Sequence, residues 1–385
     1  MAKVKVRPED FVVDELIELP LTKKGRYTIL RLEKRFWNTL DVIDFVARKM
    51  HVPKSLFSRA GLKDRYSLST QYLSFKGKFK NIIREKNFTL KPIGTADSPV
   101  SPKTLQGNSF RITLRSLIEK EIDRLNRNTL EIKNHGFANY FDEQRFGSAR
   151  HGQGFVAKKL ILEHYGGALK LLMCYAYKED SPRERKFKDY CLSQWRNWPG
   201  CLKIAPPFYR PILKYLCEHP KDFRGAIKKI DKEFLNIYLL AYQSFLFNEV
   251  LSRIVKQYGI DSMAVKYSAG EFLFYHALPS TNPVREMRIP MLNEKTKLTG
   301  PTGGKMEKAL KKEGITLKGM ALQKMRLRGV RFKTFGRNAV IFPTDFTITE
   351  PQPDEIYRGK YQCTVECILP PGTYATILIK RLLLE

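Results

Sequence analysis

The chain has 385 residues, 43% of them hydrophobic, with 69 Lys and Arg against 39 Asp and Glu, a net charge of +30. That length leaves room for two or three domains with ample core, and that apolar content argues against wholesale disorder. So large a cationic excess opposes compaction and points to a polyanionic partner. No apolar run approaches the ~20 residues needed to span a bilayer. The start, Met-Ala-Lys-Val-Lys-Val-Arg, carries no apolar signal region, so a soluble cytoplasmic protein with no membrane partner is expected. Six cysteines, at 174, 191, 201, 217, 363 and 367, and six scattered histidines fit no zinc spacing, which favours reduced thiols, in the core or half-buried, over disulfides or metal ligands.

Residues 3–13 alternate around Pro8 and read as two short strands flanking a turn, with Lys5 and Glu9 beside the proline. Residues 26–32 form another alternating strand. Asn38-Thr39 then offers a helix N-cap, and Leu40, Ile43, Val46, Ala47 and Met50 keep the helical period, giving a helix that covers a sheet face. It leads into Phe57-Ser58-Arg59-Ala60-Gly61-Leu62-Lys63-Asp64-Arg65, where one acid stands between two fixed cations. Such neighbours favour the charged carboxylate, which suits a nucleophile or an electrostatic stabiliser better than a general acid. Charge pattern alone favours a solvated turn entering an amphipathic strand, since most Lys-Asp-Arg triplets are solvated. Gly61 reads as a residue that permits a tight turn.

A strand follows at 69–75, and a basic stretch at 76–88 is either a solvated face or a phosphate-contacting edge. Residues 108–115 alternate as a strand and 117–134 form a charged amphipathic helix. Asn139-Tyr140-Phe141-Asp142-Glu143-Gln144-Arg145-Phe146-Gly147 packs two amides, three aromatics and an arginine into nine residues. That mixture makes either a loop locked by side-chain hydrogen bonds or a wall for a nucleobase, which needs a flat apolar face and edge-reading groups. Composition shifts after Gly154 towards lysine, tyrosine and helical periodicity. The longest helix is expected at 236–258, ended by Gly259, with Gln243, Ser244 and Asn248 as polar points explained equally by helix-to-loop bonds or by RNA contact. Thr-Gly-Pro-Thr-Gly-Gly-Lys at 299–305 has the wrong spacing for a phosphate loop and lacks its Ser/Thr. Residues 363–369 form a strand, Leu-Pro-Pro-Gly a turn, and Thr373 is the expected cap of a final helix.

Five of these stretches occur in the order seen in one family. Pro-Glu-Asp-Phe-Val at 8–12, Ala-Gly-Leu-Lys-Asp-Arg at 60–65, Asn-Tyr-Phe at 139–141, Tyr-Gln-Ser-Phe-Leu-Phe-Asn at 242–248 and Leu-Pro-Pro-Gly-Thr-Tyr at 369–374 together resemble the TruD family of pseudouridine synthases. The resemblance implies an α+β fold with a mixed, mostly antiparallel sheet flanked by helices. Its catalytic domain would combine residues 1–160 and 346–385, with an inserted α/β domain at 161–345. It implies isomerisation of uridine 13 in the D arm of tRNA. Asp64 would be nucleophile or base, Lys5 its electrostatic partner, and Glu9 and Asn139 orienting groups. Phe141 and Tyr374 would form the base slot, with Gln144 and Arg145 as RNA contacts or braces. Residue 142 is commonly glycine in the family and is Asp142 here, which implies a different local turn. The reaction is redox-neutral and needs no outside reactant, so no cofactor or metal is expected; a monomer acting on tRNA is. A non-catalytic RNA-binding protein or RNA chaperone is the alternative. A methyltransferase would require a nucleotide-binding glycine motif that the sequence lacks.

Overall fold

The computed structural model describes residues 2–149, 152–177 and 180–385; His151, one of the six histidines, lies outside them. The chain forms two compact units, Met1–Phe137 with Ile341–Glu385, and Ala138–Val340. The crossings therefore fall at 137/138 and 340/341, not at the expected 160/161 and 345/346. The reason for the earlier exit is local. The helix Glu119–His135 stops at Gly136, whose φ of 66° breaks the helical path. The aromatics just downstream then bury inside the second unit, with Phe155 against Tyr242 and Phe245 and Phe146 against Tyr267. The composition shift after Gly154 thus lies within the second unit.

The first unit is built on a ten-stranded sheet. Its strands, in chain order, are β1 (Phe11–Ile17), β2 (Tyr27–Lys34), β3 (Phe57–Arg59), β4 (Leu68–Lys76), β5 (Ile83–Glu85), β6 (Phe88–Ala96), β7 (Leu105–Leu117), β8 (Thr344–Ile348), β9 (Gln352–Pro353) and β10 (Tyr361–Leu369). The spatial order is β8-β10-β7-β1-β4-β2-β6-β5, with β9 beside β10 and β3 beside β4. Every pairing is antiparallel except that of β1 with β4. Parallel neighbours need a crossover, and the helix Thr39–Lys49 supplies it.

That helix buries Val42, Ile43, Val46 and Ala47 against Leu30 and Leu32 of β2, Leu73 and Phe75 of β4 and Phe88 and Leu90 of β6. Leu40, expected on the apolar face, is exposed, because the stripe begins at Val42. The final helix, Ala375–Leu382, is capped by Tyr374 rather than Thr373. Asn128 of the helix Glu119–His135 anchors it by donating to the carbonyls of Leu382 and Leu384, both at 2.8 Å.

The second unit centres on the helix Lys232–Tyr258, which buries residues on several sides and ends at Gly259. The helices Val156–Ile161 and Gly303–Glu313 pack against it. Its strands form short antiparallel ladders, Met263–Tyr267 with Gly270–Phe274 and Arg288–Pro290 with Gly336–Asn338. Among the described residues, no helix is long and apolar enough to cross a membrane.

Candidate active site

The parallel pairing of β1 with β4 explains how two distant segments meet. Val12 lies opposite Leu68 and Asp14 opposite Thr70. The segments entering those strands, residues 3–10 and 60–67, therefore arrive at the same end of adjacent strands. Lys5 Nζ donates to Asp64 Oδ2 at 2.6 Å, across 59 residues of sequence. The Lys5 ammonium also sits 4.1 Å from the centre of the Phe11 ring, a cation–π contact that fixes it from the other side. Lys5 adopts φ 58°, a left-handed conformation that costs a non-glycine residue roughly 1–2 kcal/mol. Lys5 is only 19% exposed, whereas the Asp64 side chain is 41% exposed and open to a ligand.

The two cations adjacent to Asp64 in sequence are engaged elsewhere. Lys63 Nζ donates to Glu15 Oε1 at 2.6 Å and to Asn108 Oδ1 at 2.8 Å. Its pair with Glu15 is buried, at 8% and 0% exposure, and Glu15 Oε2 accepts from the Tyr72 amide of β4. Arg65 Nε donates to the Phe36 carbonyl. Lys63 thus pins the loop to the sheet and Arg65 pins it to the end of β2. Thr39 Oγ1 accepts from the Lys63 amide at 3.2 Å and donates to Gln71 Oε1 at 2.7 Å. The threonine expected as part of a cap instead ties the crossover helix to the loop. Below, Lys34 Nζ donates to the carbonyls of Asp64 at 2.8 Å and Lys63 at 3.3 Å, and Ser67 Oγ donates to the Asp64 carbonyl. Burial pushes the Lys34 ammonium down to about 8; Asp64 opposes that shift and Lys63 adds to it. Gly61 is not needed for a strained turn: a Cβ there would meet only Glu15 Oε1 at 3.8 Å and Lys63 Nζ at 3.9 Å, ordinary contacts.

Glu9, on the one-turn helix Pro8–Asp10, accepts from Arg35 Nη1 at 2.7 Å. Its carboxyl is held below the usual range by its own backbone N–H and by Arg35. The next residue, Asp10, is buried and takes both Nε and Nη2 of Arg115, which also reaches Asp354, Glu355 and Gln362. This network locks the turn that follows Lys5. Tyr374, half-buried, follows β10, whose Leu369 pairs with Asn108, itself the partner of Glu15 across β7 and β1.

Asn139, Phe141, Gln144 and Arg145 belong to the second unit. Asn139 Nδ2 donates to the Asn338 carbonyl at 2.9 Å, and its Oδ1 accepts from Arg337 at 2.7 Å. Phe141 is buried; its backbone N–H and carbonyl both bond the side chain of Asn248 at 2.9 Å. The Arg337 guanidinium lies 3.9 Å from the centre of the Phe141 ring, and Phe247 meets that ring edge-on at 5.4 Å. Arg145 is farther, at 5.6 Å, and Gln144 is exposed. Gln243 donates to the carbonyls of Leu292 and Lys333, and Ser244 to that of Leu240. Gln243 and Asn248 are therefore helix-to-loop braces, whereas Ser244 bonds back within its own helix.

A family model described as tRNA pseudouridine synthase D, TruD, matches residues 1–382. The chain belongs to the TruD family. Among its relatives is a probable tRNA pseudouridine synthase D 1 of Methanococcus maripaludis, 30% identical over 390 residues that cover 98% of each chain. The tRNA pseudouridine synthase D of Aquifex aeolicus is 28% identical over 395 residues, covering 99% of this chain and 97% of that one. The fold is that of the crystal structure of a putative TruD protein from Methanosarcina mazei, with TM-score 0.71 and 24% identity over 99% of this chain and 93% of that one.

Several residues of this TruD chain escape motif reading: Glu15, Lys34, Thr39 and Asn108, which hold the Asp64 loop, and Arg337, which holds Asn139 and covers the Phe141 ring. For two of them a signal exists. Phe11, Val13 and Glu15 share the buried phase of β1, and Leu30, Leu32 and Lys34 share that of β2. A charged side chain in the inward phase of an apolar alternation must be paired or hydrogen-bonded.

Proposed function

We propose that this chain isomerises uridine to pseudouridine in tRNA, at uridine 13 of the D arm, with Asp64 as the reacting carboxylate. The observation that carries the reading is the exposed Asp64 carboxylate held 2.6 Å from the Lys5 ammonium. The reaction breaks the bond from uracil N1 to ribose C1′ and makes one from C5 to C1′; the C5 proton is lost and N1 gains one. Atoms and electrons balance without a second substrate. The step needs an anion at the sugar, whether Asp64 bonds C1′ or takes a proton from C2′, and a cation to orient that anion. Lys5 supplies the cation. Glu9, paired with Arg35, keeps the turn after Lys5 in place.

The target base must leave its stack, which costs a few kcal/mol that stacking and phosphate contacts offset. Phe141 and Tyr374 are the proposed stacking faces, and Asn139 the group that shapes the segment before Phe141. Arg337 now covers the Phe141 ring, so entry of a base there displaces a guanidinium, itself a planar group that stacks on aromatic faces. Arg145 and Gln144 flank this segment as RNA contacts. The net charge of +30 supports phosphate binding over a broad surface.

The test is to incubate purified protein with an unmodified tRNA transcript and map pseudouridine at nucleotide resolution. Product at position 13 is expected. Product at another position would overturn the assignment of the site on the RNA, and tight binding without any product would favour a non-catalytic RNA-binding protein.

A further inference from the structure

Lys34 is a fully buried lysine at the end of β2, 1% exposed, that no step above uses. Its ammonium faces main-chain oxygens of the loop that carries Asp64, not a carboxylate. It donates to the Asp64 carbonyl at 2.8 Å and the Lys63 carbonyl at 3.3 Å. Peptide carbonyls that point into a protein need donors, and a charged donor makes stronger bonds than a neutral one. With Ser67 Oγ on the same Asp64 oxygen, the peptide after Asp64 is clamped from below.

We propose that Lys34 is a positioning residue for the reaction: its buried ammonium fixes the backbone of residues 63 and 64 so that the Asp64 carboxylate is presented on the opposite, open side to Lys5 and the ribose. The inference rests on Asp64 being the reacting carboxylate. The surroundings favour a role for the charge itself. Across the strands Lys34 pairs with Ser69 of β4 and Phe88 of β6, both uncharged. The crossover helix contributes Thr39, bonded to Gln71. The charged groups that act on it are Asp64 and Lys63, of which Lys63 is paired to Glu15 of β1 and Asp64 to Lys5.

Burial brings the Lys34 proton within reach of ordinary assay conditions, at about 8. The sign is distinctive. Below pH 8 the ammonium is intact and the loop is clamped; above it the charge is lost and the two bonds weaken. Stability moves the other way. The unfolded chain keeps its lysines protonated to about 10.4, so between about 8 and that value the unfolded state binds more protons, and this group's contribution to stability rises with pH. A residue that merely supports the fold predicts no loss of rate as its buried charge is relieved.

The experiment measures single-turnover rates, tRNA affinity and thermal midpoint from pH 6.5 to 9.5 for the wild type, Lys34→Met, Lys34→Arg and Asp64→Asn. The wild-type rate should fall through a limb near pH 8 while its midpoint does not drop there. Lys34→Met should lose ten-fold or more in rate at pH 7 with affinity within two-fold, and lack the limb. Lys34→Arg, which keeps its charge throughout, should restore rate relative to Lys34→Met and hold it above pH 8. A Lys34→Met rate within two-fold of wild type, or a limb unchanged in both Lys34 variants, overturns the proposal. Should neither Lys34 variant fold, the wild type decides: a rate flat from pH 7 to 9 overturns the proposal, and a limb near 8 without a drop in midpoint supports it. Asp64→Asn separates the two readings. If that variant is inactive and Lys34→Met is normal, only the Lys34 proposal fails; if Asp64→Asn turns over, the assignment of the carboxylate fails with it.

Discussion

Replacing Glu15 by Gln removes a charge from the floor of the candidate site while keeping an oxygen for the Tyr72 amide. In the native chain Glu15 is fully buried and its Oε1 lies 2.6 Å from Lys63 Nζ. The variant leaves the Lys63 ammonium with Asn108 Oδ1 as its acceptor. Removing one partner of a buried pair costs roughly 3–5 kcal/mol, because the remaining charge stays desolvated. The surviving Asn108 bond and the slight exposure of Lys63 place the expected loss at the lower end, about 3 kcal/mol. Removing both charges, as Glu15→Gln with Lys63→Met, should return most of that loss, to within ~1 kcal/mol of the parent. Hydrogen exchange at the Tyr72 amide and its neighbours in β4 reads the first unit directly. A 3 kcal/mol loss is a fall in protection on the order of 100-fold. A single variant that costs less than ~1 kcal/mol, or a double variant as unstable as the single, would refute the account of Lys63 as an anchor.

Three further outcomes follow from the same geometry. Lys5→Met should cut the turnover rate by roughly ten- to a hundred-fold with little change in KM, since the lost contact is a charge-assisted bond to Asp64, the proposed reacting carboxylate; single-turnover kinetics at saturating tRNA measure it. Arg115→Met removes the buried guanidinium between Asp10, which keeps Arg7, and Asp354, which keeps three backbone N–H donors, and should cost about 3 kcal/mol in urea unfolding of the first unit. Binding of tRNA should weaken steeply with salt, by roughly a thousand-fold or more between 50 and 200 mM if six or more phosphates are contacted.

Local patterns in the chain reveal the strands and helices well, because alternation and helical period depend on neighbours a few residues apart. The ends are less legible. Tyr374 rather than Thr373 caps the last helix, and Val42 rather than Leu40 opens the buried stripe, since tertiary packing decides both. The candidate site illustrates a deeper limit. Lys63 and Arg65 flank Asp64 in sequence, yet their charges turn to Glu15 and to the Phe36 carbonyl. The cation that meets Asp64 comes from residue 5, through a parallel strand pairing that composition and periodicity do not encode. The family motifs carry that information only by resemblance. Lys34 and Glu15 were readable in principle as charges in the buried phase of a strand, but their partners were not. The exit of the chain at 137/138 was masked by the later composition change, although Gly136 marks it.

In the proposed reaction one accessible carboxylate, Asp64, does the chemistry. Its most direct test is the pseudouridine yield of Asp64→Asn on tRNA, measured alongside its tRNA affinity. No product is expected over many wild-type turnovers, with affinity within a few-fold of the parent. Product formed at a rate near that of the wild type would contradict it.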